Sequence, residues 1–163
     1  MGKGYKATAK VKVIDKGWKL HGEFIKQLDR SKPSVTVGIH ADKGSAVHIG
    51  GQTATVADIG AFNEFGTPTI PRRSFIRSTF SKHLKANKRL LRALLQRVVI
   101  TKITPHQALD AFGQKLAAQV INTINDGVPP PNAPATIARK GSSKTLINQG
   151  QMKQSIAYKV NGV

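Results

Sequence analysis

The polar and apolar positions of this 163-residue chain alternate between two periods. Residues 6–14, KATAKVKVI, repeat with the period of two expected of a half-buried strand. Next, KGWKLHGEFIKQLDRS spaces Trp18, Phe24, Ile25 and Leu28 near helical intervals, predicting a helix over 17–31 closed by Pro33. PSVTVGIHA returns to period two, with Val35, Val37 and Ile39 on one side of a strand. In TATVADIGAFNEFGT, Thr53 or Thr55 is placed to cap a helix carrying Val56, Ile59 and Phe62 and ending at Gly66. Its small residues Ala57, Gly60 and Ala61 invite close approach of another element.

The stretch GTPTIPRR interrupts this pattern. Pro68 and Pro71 fix φ and disfavour helix in the residue before each, so residues 66–71 are expected to be extended and stiff. A long helix then starts near 72–74, with Phe75, Ile76, Phe80, Leu84, Leu91, Leu94, Leu95 and Val98 along it. A second strong helix spans 105–125, with Thr104 as cap, Pro105 in the first turn and a stripe of Leu109, Phe112, Leu116, Val120 and Ile124. A proline- and glycine-rich stretch over 127–150 reads as a long loop with one helical turn at PATIARK. The segment QMKQSIAYKV begins helically and ends as a strand, with Ile156, Tyr158 and Val160 alternating. Pairing of that strand with the one at 6–14 is expected. The sum is a single α+β domain over 1–163: a small antiparallel sheet packed by two or three helices, with long loops, one of them mobile near 42–53.

Composition bears on function more than on fold. The formal charge is +18, from 26 Lys and Arg against eight Asp and Glu. Between Phe65 and Leu109 stand ten cations and no acid: Arg72, Arg73, Arg77, Lys82, Lys85, Lys88, Arg89, Arg92, Arg97 and Lys102. Lys82, Lys85, Lys88, Arg89 and Arg92 form a candidate face toward a polyanion or an acidic partner. No cysteine is present, which removes disulfides and thiolate metal sites. The basic N-terminus lacks the apolar core of a signal peptide, and no run approaches a membrane span, so a soluble, non-secreted protein without membrane contact is expected.

Catalytic readings find little support. Asp58 and Glu64 lie six apart on one predicted helix and so on different faces. His21, His40, His48, His83 and His106 show no metal-ligand spacing, and no cofactor is expected. GSSKT at 141–145 lacks the glycine before the lysine of a phosphate-binding loop, and no G-x-S-x-G elbow occurs.

Two stretches, however, carry a family likeness. ADIGAFNEFGTPTIPRRSFIRSTF resembles the signature of the tail-completion or neck proteins of tailed bacteriophages, also described as virion morphogenesis proteins. The matching residues are Glu64, Phe65, Gly66, Thr67, Ile70, Pro71, Arg72, Arg73, Phe75, Ile76 and Arg77. Downstream, APATIARKGSSKTLINQGQMKQSIAYKV is similar to the family's second motif through Thr136, Ile137, Lys140, Gly141, Leu146, Ile147, Asn148, Gly150, Met152, Ser155 and Ile156. Thr145 and Gln149 replace the usual Pro and Thr, and Asn132 stands where a Trp or apolar residue often precedes the proline.

The resemblance implies an antiparallel sheet flanked by helices, and a non-enzymatic role as a homo-oligomeric ring at the virion's head-to-tail junction, assembled in the host cytoplasm. Its partners would be the portal or connector and the tail tube or tail terminator, with DNA passing through the lumen. A small basic nucleic-acid-binding protein is the alternative. Two local expectations accompany the resemblance: Glu64 accepts from Arg72 or Arg73 across the proline hinge, and Phe65 and Phe75 clamp that hinge as core residues.

Overall fold

The structure is a computed structural model that describes residues 18–45, 54–100 and 102–162. The strand expected over 6–14, and most of the loop expected near 42–53, lie outside those residues.

The alternation of Val35, Val37 and Ile39 produces β1 (Ser34–Ile39), which follows α1 (Trp18–Ser31). β1 pairs antiparallel with β2 (Ile156–Asn161), setting Val35 opposite Val160, Val37 opposite Tyr158 and Ile39 opposite Ile156. Among the described residues, then, the partner of the last strand is β1. Facing pairs of β-branched, aliphatic and aromatic side chains stabilise one face of this ribbon. Such a two-stranded sheet is marginal by itself and needs a helix against its apolar face.

That helix is α5 (Pro105–Asp126). Thr104 caps it and Pro105 occupies the first turn, as the sequence predicts, and Gln107 completes a capping box with Thr104. Its Gly113 is what lets the sheet approach. A Cβ there would lie 2.9 Å from Val35 Cγ2 and would overlap the Tyr158 ring. The Tyr158 hydroxyl in turn donates to Asp110 Oδ1 at 2.7 Å, fixing the sheet's position along α5.

A four-residue helix, α2 (Ala41–Gly44), occupies the start of the expected loop near 42–53. α3 (Val56–Phe65) begins at Thr55, whose side chain and Asp58 form a reciprocal cap, and Gly60 of α3 packs against Ile39. α4 (Phe75–Val99) lies along α5. The main core gathers Val56 of α3, Phe75 of α4 and Val120 and Ile124 of α5 with Ile156 of β2.

The α4–α5 seam departs from the expected all-apolar stripe. Thr79 and Asn87 are buried along with Phe75, Leu94 and Val98, whereas Leu84 and Leu95 are about half exposed at 50% and 48%. Asn87 and Gln119 exchange amide hydrogen bonds of 3.0 and 2.8 Å, and the Thr79 and Thr123 hydroxyls meet at 2.6 Å. The side chains that α4 sends toward α5 are therefore partly polar, and a second apolar strip is left on its outer side.

After α5 the chain is not one long loop. α6 (Pro134–Lys140) realises the helical turn read from PATIARK, and α7 (Gln151–Gln154) leads into β2.

Candidate functional site

Glu64 sits in the last turn of α3 and is 5% exposed. Its carboxylate accepts the Ser74 hydroxyl at 2.7 Å and the backbone N–H groups of Ile76 and Arg77 at 2.8 and 3.1 Å. Those are first-turn donors of α4, which have no acceptor inside their own helix. Ser74, at the N-cap position, gives α4 no side-chain cap, so the preceding helix supplies one, with the sign of charge that a helix N-terminus favours. The expected pairing of Glu64 with Arg72 or Arg73 is not formed: the cation it meets is Arg77, with Nε at 3.4 Å. Register explains the difference. Arg77 itself contributes one of the two capped amides, so its side chain starts beside the carboxylate, whereas Arg72 is exposed and Arg73 is drawn elsewhere.

Arg73 is the buried cation of the hinge, at 7% exposure. Its Nε donates to the Pro130 carbonyl at 2.8 Å and one Nη to the Pro131 carbonyl at 3.0 Å. Burial pushes its guanidinium below its ordinary pKa. These acceptors lie 57 and 58 residues downstream, and no spacing rule points to them. The Arg73 N–H also donates to the Asn63 carbonyl, so the hinge folds back on α3.

The rest of the hinge is held locally. Gly66 has φ +81°, and a Cβ there would come within 3.1 Å of Arg72, two reasons for glycine. The Thr67 hydroxyl accepts the Ile70 N–H at 2.9 Å, and the Thr67 N–H donates to the Ile70 carbonyl at the same distance. Phe75 is fully buried, as expected. Phe65 is not a clamp: it is 67% exposed, and the Arg77 guanidinium lies 5.3 Å from its ring centroid. It projects from the last turn of α3, away from the α5 core.

The second motif builds the facing wall. Gly141 ends α6 in the left-handed region with φ +65°, and Gly150 precedes α7 with φ +81°. The Asn132 amide donates to the Ser143 and Lys144 carbonyls, tying the proline run to the loop after α6. Thr145 accepts the buried Val128 N–H at 2.9 Å. Met152 is buried in the main core, and Leu146 packs against it. Thr136 and Lys140 line the space between this wall and the hinge.

That space is a cleft of about 850 Å³. Ile70, Pro71 and Arg73 of the first motif and Thr136, Lys140, Leu146, Gly150 and Met152 of the second all reach it. Lys140 donates to the Lys144 carbonyl at 2.9 Å. Burial first, then the charges of Arg73 and Arg139, hold its ammonium below the ordinary lysine range.

The cationic face stands apart from this cleft. Lys82, Lys85, Lys88, Arg89 and Arg92 are all exposed along α4. Beside Lys88 and Arg92 runs the outer apolar strip, with Leu91, Leu95, Val99 and Ile100. Among the described residues, no three His, Asp or Glu side chains gather as metal ligands, and no helix is long and apolar enough to cross a membrane. Comparison with protein-family models, with curated proteins and with solved structures finds no match to this chain.

Proposed function

We propose that this chain is a structural protein of the head-to-tail junction of a tailed bacteriophage. It would be a neck or tail-completion subunit that works by assembling into a ring and docking onto its neighbours, without catalysis. The observation that carries the reading is convergence. The two stretches that resemble the family's motifs lie about 60 residues apart, yet together they build one junction, with Arg73 of the first holding the chain just ahead of the second.

A ring needs a heterologous contact, in which one surface of a subunit meets a different surface of the next. The outer strip of α4 offers such a surface, since Leu84, Leu95, Val99 and Ile100 are each about half exposed, at 50%, 48%, 50% and 57%. The cations on the same helix would then face the lumen and its DNA, or acidic portal, connector or tail proteins. Assembly would take place in the host cytoplasm, and the finished ring would stay in the virion.

Native mass spectrometry and negative-stain electron microscopy of the purified chain test the assembly, and cryo-electron microscopy of the virion tests the position. Closed rings, and ring density between portal and tail tube, are expected. A chain that stays monomeric and binds no connector or tail component overturns the reading.

The exposed cations favour one rival, a small basic nucleic-acid-binding protein. It requires the monomer to bind short DNA tightly, with affinity falling by roughly 0.9 log units per log unit of salt for each phosphate contacted.

A further inference from the structure

The cleft between the two motifs carries charge that the fold leaves uncompensated. Arg73, Arg139 and Lys140 all reach it, and among the described residues no Asp or Glu lines it. The Arg73 and Lys140 hydrogen bonds identified there go to neutral carbonyl oxygens. Such acceptors orient a cation but do not neutralise it, and a buried cation without a counter-charge is unfavourable. Around the cations the wall is mixed: Ile59, Phe62, Ile70, Leu146 and Met152 give it an apolar part, and Asn63, Thr136, Asn148 and Gln149 a polar one. At about 850 Å³ the cleft falls within the roughly 300–1,000 Å³ of small ligand sites.

We propose that this cleft docks a short acidic segment of a partner protein. One carboxylate of that segment sits among Arg73, Arg139 and Lys140, and an adjacent apolar side chain enters between Phe62, Ile70 and Met152. Charge complementarity selects this occupant. A phosphate backbone carries no apolar group to set against Phe62, Ile70 and Met152, whereas an acidic peptide offers both a carboxylate and an apolar side chain. A second copy of this chain is a poor source, because it has eight acids against 26 Lys and Arg, and Asp58, Glu64 and Asp110 are already engaged. A single subunit contains the whole cleft, so docking does not depend on ring formation.

The test uses the full chain labelled with ¹⁵N, near physiological ionic strength. The probe is the acetylated, amidated pentapeptide Leu-Glu-Phe-Asp-Leu, its control the uncharged Leu-Gln-Phe-Asn-Leu, and its competitor a short DNA duplex. Saturable shifts are expected at the backbone amides of residues 132–133 and 148–151, with binding of the control about tenfold or more weaker. Arg139→Glu, at an exposed position, should weaken the acidic peptide to a similar degree. So should Gln149→Trp, which puts an indole at an exposed lining position and leaves all three cations in place. Shifts confined to Lys82–Arg92, unchanged affinity in Gln149→Trp, or no saturable binding would each overturn the proposal. Displacement of the peptide from the same amides by the duplex would overturn it in favour of phosphate. Light scattering on the same samples reads ring formation separately, so failure of the ring and failure of the cleft are told apart.

Discussion

The Glu64 carboxylate on α3 accepts the Ile76 N–H of α4 at 2.8 Å, so one helix caps the next across a hinge that contains two prolines. Glu64→Ala leaves the Ser74 hydroxyl and two first-turn amides without that acceptor. Unsatisfied buried donors cost about 1–3 kcal/mol each, partly relieved by water, so a loss of about 2–4 kcal/mol is expected. Glu64→Gln keeps one acceptor oxygen but loses the charge, and about half that loss is expected. Urea denaturation of both variants checks the order. Equal stability of the two would show that the charge contributes nothing.

Asn87 and Gln119 satisfy each other inside the α4–α5 seam. Asn87→Leu strands the Gln119 amide and should cost about 1–3 kcal/mol, whereas Asn87→Leu with Gln119→Leu should recover most of it. The comparison is a double-mutant cycle by chemical denaturation. Additive losses would mean that the pair is not coupled.

Gly113→Ala sets two effects against each other. Helix propensity gains up to about 1 kcal/mol, but the new methyl meets Val35 and a Tyr158 ring that Asp110 holds in place, and overpacking costs about 1–3 kcal/mol. Overpacking wins, with a net loss of about 1–2 kcal/mol. A thermal melt showing stabilisation would mean that the sheet slides along α5 instead.

Local signals made much of this architecture readable. Thr104, Pro105 and Gln107 mark the start of α5 through contacts within one turn, and Gly66 marks the end of α3 because its φ is positive. The alternation at 35–39 and 156–160 identifies both described strands, but not their pairing, because register depends on the helix beneath them. The site was legible as motifs and not as contacts. Glu64 and Arg73 stand out in the hinge, yet the first serves the amides of a helix start and the second serves Pro130 and Pro131, whose carbonyls every sequence possesses. The seam misled for a related reason. Thr79 and Asn87 fall outside the apolar series from Phe75 to Val98, and their burial depends on a matching Thr123 and Gln119 from α5, whereas Leu84 and Leu95 belong to that series although α5 covers only one side of α4.

Two groups give stability a pH dependence of known sign. The Asp58 carboxyl lies below its ordinary value of 3.8, first because the Thr55 hydroxyl donates to it and then because the Thr55 N–H does. A depressed acid stabilises the fold above its unfolded pKa and loses that contribution as pH falls through the folded value. The stability gap between the native chain and Asp58→Asn should therefore be full at neutral pH and shrink below about pH 4. Lys140 works at the other end. Its ammonium is held below the ordinary 10.5 by burial and by Arg73 and Arg139, so its charged form opposes folding. That opposition is complete below the folded pKa and disappears as pH rises to the unfolded one, so the native chain should gain stability relative to Lys140→Met as pH rises toward the ordinary 10.5. Melting temperatures of the three chains across both windows check the signs. A gap for Asp58→Asn that stays constant into acid would remove the carboxylate from the α3 cap, and a native chain that loses ground to Lys140→Met at high pH would mean that Lys140 is stabilised by its charge.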